Sequence, residues 1–154
     1  MRALITDRTQ QDVNLLQELT VKLNNGASTE TLAQWREAVK KGAYGVPDIE
    51  RVDGATEELV QWLADLGYIV DYFKTDPSKV WLTESQAARY LQNIQNIRER
   101  LDILAYTGDL PKSLEKLNFE GANEIERVLE QIEGIIDSMP LSYFYSGEVY
   151  SGEV

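Results

Sequence analysis

Two residue types are missing from this 154-residue chain: cysteine and histidine. Without cysteine there is no disulfide and no thiolate metal site. Without histidine the commonest general base and the commonest metal ligand are lost together. Most hydrolase and zinc-site readings stop there. Positive charge is scarce as well, with 15 Lys and Arg against 26 Asp and Glu and a formal net charge of −11. Nucleic acid is bound by basic surfaces that displace counterions from phosphates, and anionic lipid attracts the same sign. Neither partner is expected. No apolar run approaches the roughly 20 residues that span a bilayer. Met1 to Asp7 holds one arginine and four apolar residues, too few for a secretion signal. The expectation is a chain made in the host cytoplasm that leaves it only within a larger assembly or after lysis.

Apolar residues make up 43% of the chain, enough for one core. Their spacing predicts helices. The first starts near Thr9, with Asp12 completing a capping box, and carries Val13, Leu16, Leu19 and Leu23 before Asn25-Gly26. The second is capped by Ser28 or Thr29, carries Leu32, Trp35, Ala38 and Val39, and ends at Gly42. A third follows Pro47 with Ile49, Val52, Leu59, Leu63 and Leu66, is interrupted at Gly54, and ends at Gly67. Thr83 and Gln86 open the fourth, which carries Ala87, Tyr90, Leu91, Ile94, Ile97, Leu101 and Leu104 and ends before Thr107-Gly108. Leu110 to Phe119 reads as a linker with a short turn through Leu114 and Leu117. Asn118 caps the fifth, whose stripe runs from Ile125 to Met139 and breaks at Pro140. The expected fold class is mainly α: a compact bundle of about five amphipathic helices with one strand-like segment, Tyr68 to Phe73, and an extended C-terminal tail. The bundle domain occupies 1–140 and the tail 141–154.

That tail duplicates Tyr-Ser-Gly-Glu-Val in tandem, from Tyr145 and again from Tyr150. It reads either as a frayed end or as an adhesive segment whose tyrosines anchor on a partner. Tyr68 to Phe73 would need a partner for its backbone, from the N-terminus, the tail or another subunit. The candidate interaction residues are Tyr68, Tyr72, Trp81, Tyr143, Phe144, Tyr145 and Tyr150.

Chemistry is sparse. There is no Walker loop, no dinucleotide glycine motif, no nucleophile elbow and no EF-hand. The sequence therefore points to no catalytic, cofactor-binding or metal-ligating residue. Glu124, Glu126, Glu130 and Glu133, with Glu57, Glu58 and Asp65, flank apolar stripes and read as solvated faces. Trp35 falls on a core stripe, Trp62 at a stripe edge, and Trp81 before a helix cap, either stapling it or standing exposed.

Three segments taken in order carry a resemblance. They are Leu4-Ile-Thr-Asp-Arg-Thr-Gln10; Gly42-Ala-Tyr44 with Asp48-Ile-Glu-Arg-Val52; and Glu120-Gly-Ala-Asn-Glu-Ile-Glu-Arg-Val-Leu129, leading to Phe144-Tyr-Ser-Gly-Glu-Val149. Lys74-Thr-Asp76 and Arg89-Tyr-Leu91 add to it. The chain resembles a small helical domain that recurs in virion structural proteins of Firmicutes phages and prophages, often in tail or fibre genes. Val46-Pro47 and Pro77-Ser-Lys79 depart from that pattern, both in loops. The resemblance carries over no catalytic residue. It implies a non-catalytic structural module of a phage particle, found in the virion, at the tail, baseplate or fibre attachment. The strand-like run and the aromatic tail, whose backbone groups a helical bundle leaves unpaired, add the expectation of an oligomer or a complex with other virion proteins. A receptor- or carbohydrate-binding module on the same particle is the alternative, and a cell-wall hydrolase the least favoured reading.

Overall fold

The computed structural model describes residues 3–26, 28–76 and 82–153, with the backbone alone from 140 onward. Among these residues are five α-helices and no β-strand: α1 Gln10–Asn24, α2 Thr29–Gly42, α3 Val46–Asp65, α4 Glu84–Leu101 and α5 Phe119–Glu153. None is long and apolar enough to cross a membrane.

Local chemistry sets the helix starts. The Thr9 side chain accepts from the Asp12 backbone N–H while Asp12 returns the bond, and Thr83 and Gln86 do the same for α4. Each exchange satisfies two amides that the first turn would leave unpaired. Ser28 caps α2 through the Thr31 N–H, and Asn118 caps α5 through the Gly121 N–H.

The core lies between three helices. Val52, Ala55, Leu59 and Leu63 of α3 meet Tyr90, Leu91, Ile94 and Ile97 of α4 and Ile125, Val128, Leu129, Ile132 and Ile136 of α5. Trp62 packs half-buried at its edge. α1 and α2 form a hairpin arm instead. α2 has no buried residue and α1 only Leu19. Trp35 is half-buried in the arm and donates its Nε1–H to Thr20 Oγ1 at 3.0 Å. The two helices meet tightly at Gly42, where an added Cβ would come within 2.7 Å of the Asp12 carbonyl oxygen and of Leu16 Cβ.

Three expectations are corrected. Tyr68 to Phe73 is extended but pairs with no strand. It is a strap whose backbone is held by side-chain amides of α4. Asn93 accepts from the Phe73 N–H at 2.9 Å and donates to the Phe73 carbonyl at 2.8 Å, and Asn96 donates to the Asp71 carbonyl at 3.0 Å. Amide side chains thus supply what a neighbouring strand would. Second, α4 ends at Leu101 rather than beyond Leu104. Asp102 takes a left-handed conformation with φ 53°, and a 3₁₀ turn follows at Leu104–Tyr106. Third, α5 does not stop at Pro140 but is helical to Glu153. Proline's clash falls on the turn before it, while its fixed φ suits the first residue of the turn that follows.

Candidate functional site

Where the N-terminal segment, the start of α3 and the middle of α5 come together, the structure clusters four charges, three of them buried. Arg8, ahead of α1, lies between Asp48 and Arg51 in the first turns of α3 and Glu126 on α5. The Arg8 and Glu126 side chains are 1% and 0% exposed. One terminal nitrogen of Arg8 donates to Glu126 Oε1 at 2.7 Å and to Asp48 Oδ1 at 3.1 Å. Arg51 donates to the same two oxygens and, through Nε, to Glu126 Oε2 at 3.0 Å. Glu126 Oε2 also accepts the Ile5 N–H at 2.6 Å, and Asp48 Oδ2 accepts the Gly45 N–H at 2.8 Å.

Two arginines and two carboxylates sum to zero, which is what makes their burial tolerable. Burial pushes the Arg51 pKa down, but its bonds to Glu126 and Asp48 overcome that and raise it above the ordinary arginine value. Around the charges the backbone is fixed as well. Asn123 accepts from the Arg8 N–H at 3.0 Å and donates to the Arg8 carbonyl at 2.9 Å. The other terminal nitrogen of Arg8 reaches the Ile5 carbonyl at 2.8 Å. The guanidinium lies 5.6 Å from the centre of the Tyr44 ring, and the Tyr44 hydroxyl bonds that of Tyr90 on α4. Burial raises both phenols above the usual tyrosine range, so they remain neutral hydroxyls. Among the buried polar atoms of this network, the Arg8 Nε–H has no partner.

In chemical terms the arrangement is a clasp. Each of its four carboxylate oxygens accepts at least one hydrogen bond, so none stands ready as a general base or nucleophile. The N-terminal segment, the start of α3 and the middle of α5 are tied at one point. One expectation falls here: Glu126 is not on a solvated face but fully buried. Its position did carry a signal, since it sits among Ala122, Ile125 and Leu129 within the apolar stripe. The partners that neutralise it lie far along the chain, where helical periodicity says nothing.

A second buried acid holds the strap. Asp53 of α3 accepts from the Tyr72 hydroxyl at 3.0 Å and the Thr75 N–H at 3.3 Å through Oδ2, while its buried Oδ1 has no partner. Burial raises its pKa above the ordinary 3.8, against the lowering effect of those bonds and with a further push from Glu57. The folded chain therefore holds this proton more tightly than the unfolded chain. The Asp53 contribution to stability is greatest below about pH 4 and is lost as pH rises through the raised value. The stability difference between the parent chain and an Asp53→Asn variant, measured by urea unfolding from pH 3.5 to 7, should shift against the parent as pH rises. A difference that is flat, or that slopes the other way, would contradict the burial effect.

Of the expected interaction residues, Tyr72 is engaged with Asp53 and Tyr68 lies half-buried with Arg100 5.1 Å above its ring. The structure does not bring them to the clasp. Trp81 lies outside the described residues. Tyr143, Phe144, Tyr145 and Tyr150 fall on α5 by backbone, with their side chains outside the described residues. No local sequence signal marks the clasp as a site, although Arg8, Tyr44, Asp48, Arg51, Asn123 and Glu126 all stand within residues 4–10, 42–52 and 120–129. No protein-family model, no curated protein and no solved structure matches this chain.

Proposed function

We propose that the chain is a non-catalytic structural module of a phage or prophage particle, at the tail, baseplate or fibre attachment, and that it works by contact with other virion proteins. One observation carries this reading. The segments that resemble the phage domain, distant in sequence, meet in a single buried clasp through Arg8, Asp48, Arg51, Asn123 and Glu126. Five of the residues in those segments tie the N-terminal segment, α3 and α5 together at one point. The fully engaged carboxylates support the non-catalytic part of the reading.

The test is mass spectrometry and immunogold labelling of particles from an induced lysogen that encodes this chain. The chain should copurify with tail proteins at fixed stoichiometry and label one end of the particle. Its presence in the lysate but absence from washed particles would contradict the assignment.

A further inference from the structure

The arm formed by α1 and α2 leaves apolar surface uncovered, and two helices cannot enclose a core by themselves. Between them lies a groove of about 650 Å³ lined by Leu15, Leu19 and Ala38. Leu19 is 4% exposed and Leu15 is 47% exposed. The α1 side of the groove is the stripe Asp12, Leu15, Leu19, Lys22. Its spacing of three, four and three residues is that of a coiled-coil seam.

Read in reverse, the stripe has the same spacing with the charges exchanged: Lys, Leu, Leu, Asp. That is the requirement for a two-fold contact, in which residue i of one copy meets residue j of the other and j meets i. An antiparallel crossing of α1 on α1 sets Asp12 against Lys22 at both ends and Leu15 against Leu19 between them. We infer that two copies of this chain dimerise through the arm, the Leu15 of each inserting over the Leu19 and Ala38 of the other. Ala38 is small enough to admit it. Asp12 uses Oδ2 for its cap on Thr9, which leaves Oδ1 for Lys22 of the second copy. On the α2 side Lys40 is paired with Glu37 and Lys41 with Asp7, with Asp12 a more distant anion beside Lys41. The charge pattern that selects the partner is therefore on α1. Two chains of net charge −11 repel over most of their surfaces, and this seam sets opposite signs together.

The purpose of the dimer rests on the reading of the chain as an assembly module, but its existence is measured apart from any particle. Within one copy, Asp12 and Lys22 are about 15 Å apart along one helix. A zero-length carbodiimide link between them can join only two copies. The full chain at high micromolar concentration should sediment at twice its 17.5 kDa mass and yield the Asp12–Lys22 linked peptide. Leu15→Glu, at an exposed position, should abolish both while leaving the circular dichroism unchanged. A monomer at that concentration, or a dimer indifferent to Leu15→Glu, overturns the proposal. A monomer that still enters particles defeats the dimer alone. A dimer absent from particles defeats the particle reading alone.

Discussion

Replacing Glu126 with alanine is expected to lower the free energy of unfolding by about 3–5 kcal/mol, the cost of breaking a buried ion pair by removing one partner. The side chain is fully buried and accepts from Arg8, Arg51 and the Ile5 N–H. Its removal leaves two guanidinium groups facing one carboxylate, that of Asp48, and orphans a backbone amide. Whole domains of ordinary size are stable by only about 5–15 kcal/mol, so the variant should be near the edge of folding. Glu126→Gln keeps the shape and one acceptor oxygen and should lose less than the alanine variant, but its NH2 faces donors that the second carboxylate oxygen accepted, so it should still be destabilised. Urea unfolding measures both as shifts in midpoint at constant slope. A loss under about 1 kcal/mol for the alanine variant would mean that solvent reaches the arginines freely.

The second large effect separates body from arm. Leu129 lies at the centre of the three-helix core with no exposure. Leu129→Ala should cost about 2–5 kcal/mol, through lost burial and the cavity left behind. Leu23 occupies an apolar position on α1 but is only partly buried. Its side chain is not fully covered, so Leu23→Ala should cost less than about 1.5 kcal/mol, the low end of full burial for such a side chain. Comparable losses at the two positions, measured by the same unfolding curves, would contradict the division into a packed body and a lightly packed arm.

The helices were legible because their signals are local. A capping threonine with an acid or amide three residues on, and an apolar stripe at three and four, appear within a few residues of each other, as at Thr9–Asp12 and Thr83–Gln86. The core stripes of α3, α4 and α5 were readable for the same reason. What escaped is held by side chains reaching across the chain. Tyr68 to Phe73 has the aromatic and β-branched composition of a strand, and the positions of Asn93 and Asn96 on α4 and Asp53 on α3 make it a strap. Arg98 is a comparable case. In the sequence it is one more charge near a helix end, yet it is buried and donates to the Thr107 hydroxyl at 2.8 Å and the Gly108 carbonyl at 2.8 Å. These bonds secure the segment after α4, and the Gly108 N–H is held from α5 by Gln131 at 2.8 Å. In each case the helices arise from periodicity, and the non-helical segments are fixed by polar side chains whose partners cannot be found by spacing.

The clasp follows the same rule. Arg8 and Glu126 are read separately as an N-terminal charge and a helix acid, and their meaning lies in the 2.7 Å between them. A double-mutant cycle on this pair measures that dependence directly: Arg8→Ala, Glu126→Ala and the double variant, each unfolded in urea at the same pH and salt. Groups in one buried network are coupled, and the double variant should be less destabilised than the sum of the single ones by about 1–3 kcal/mol. Each single change leaves a charge without its partner, and the second change removes that charge. Losses that add to within about 0.5 kcal/mol, as for distant and independent sites, would contradict a clasp built on this contact.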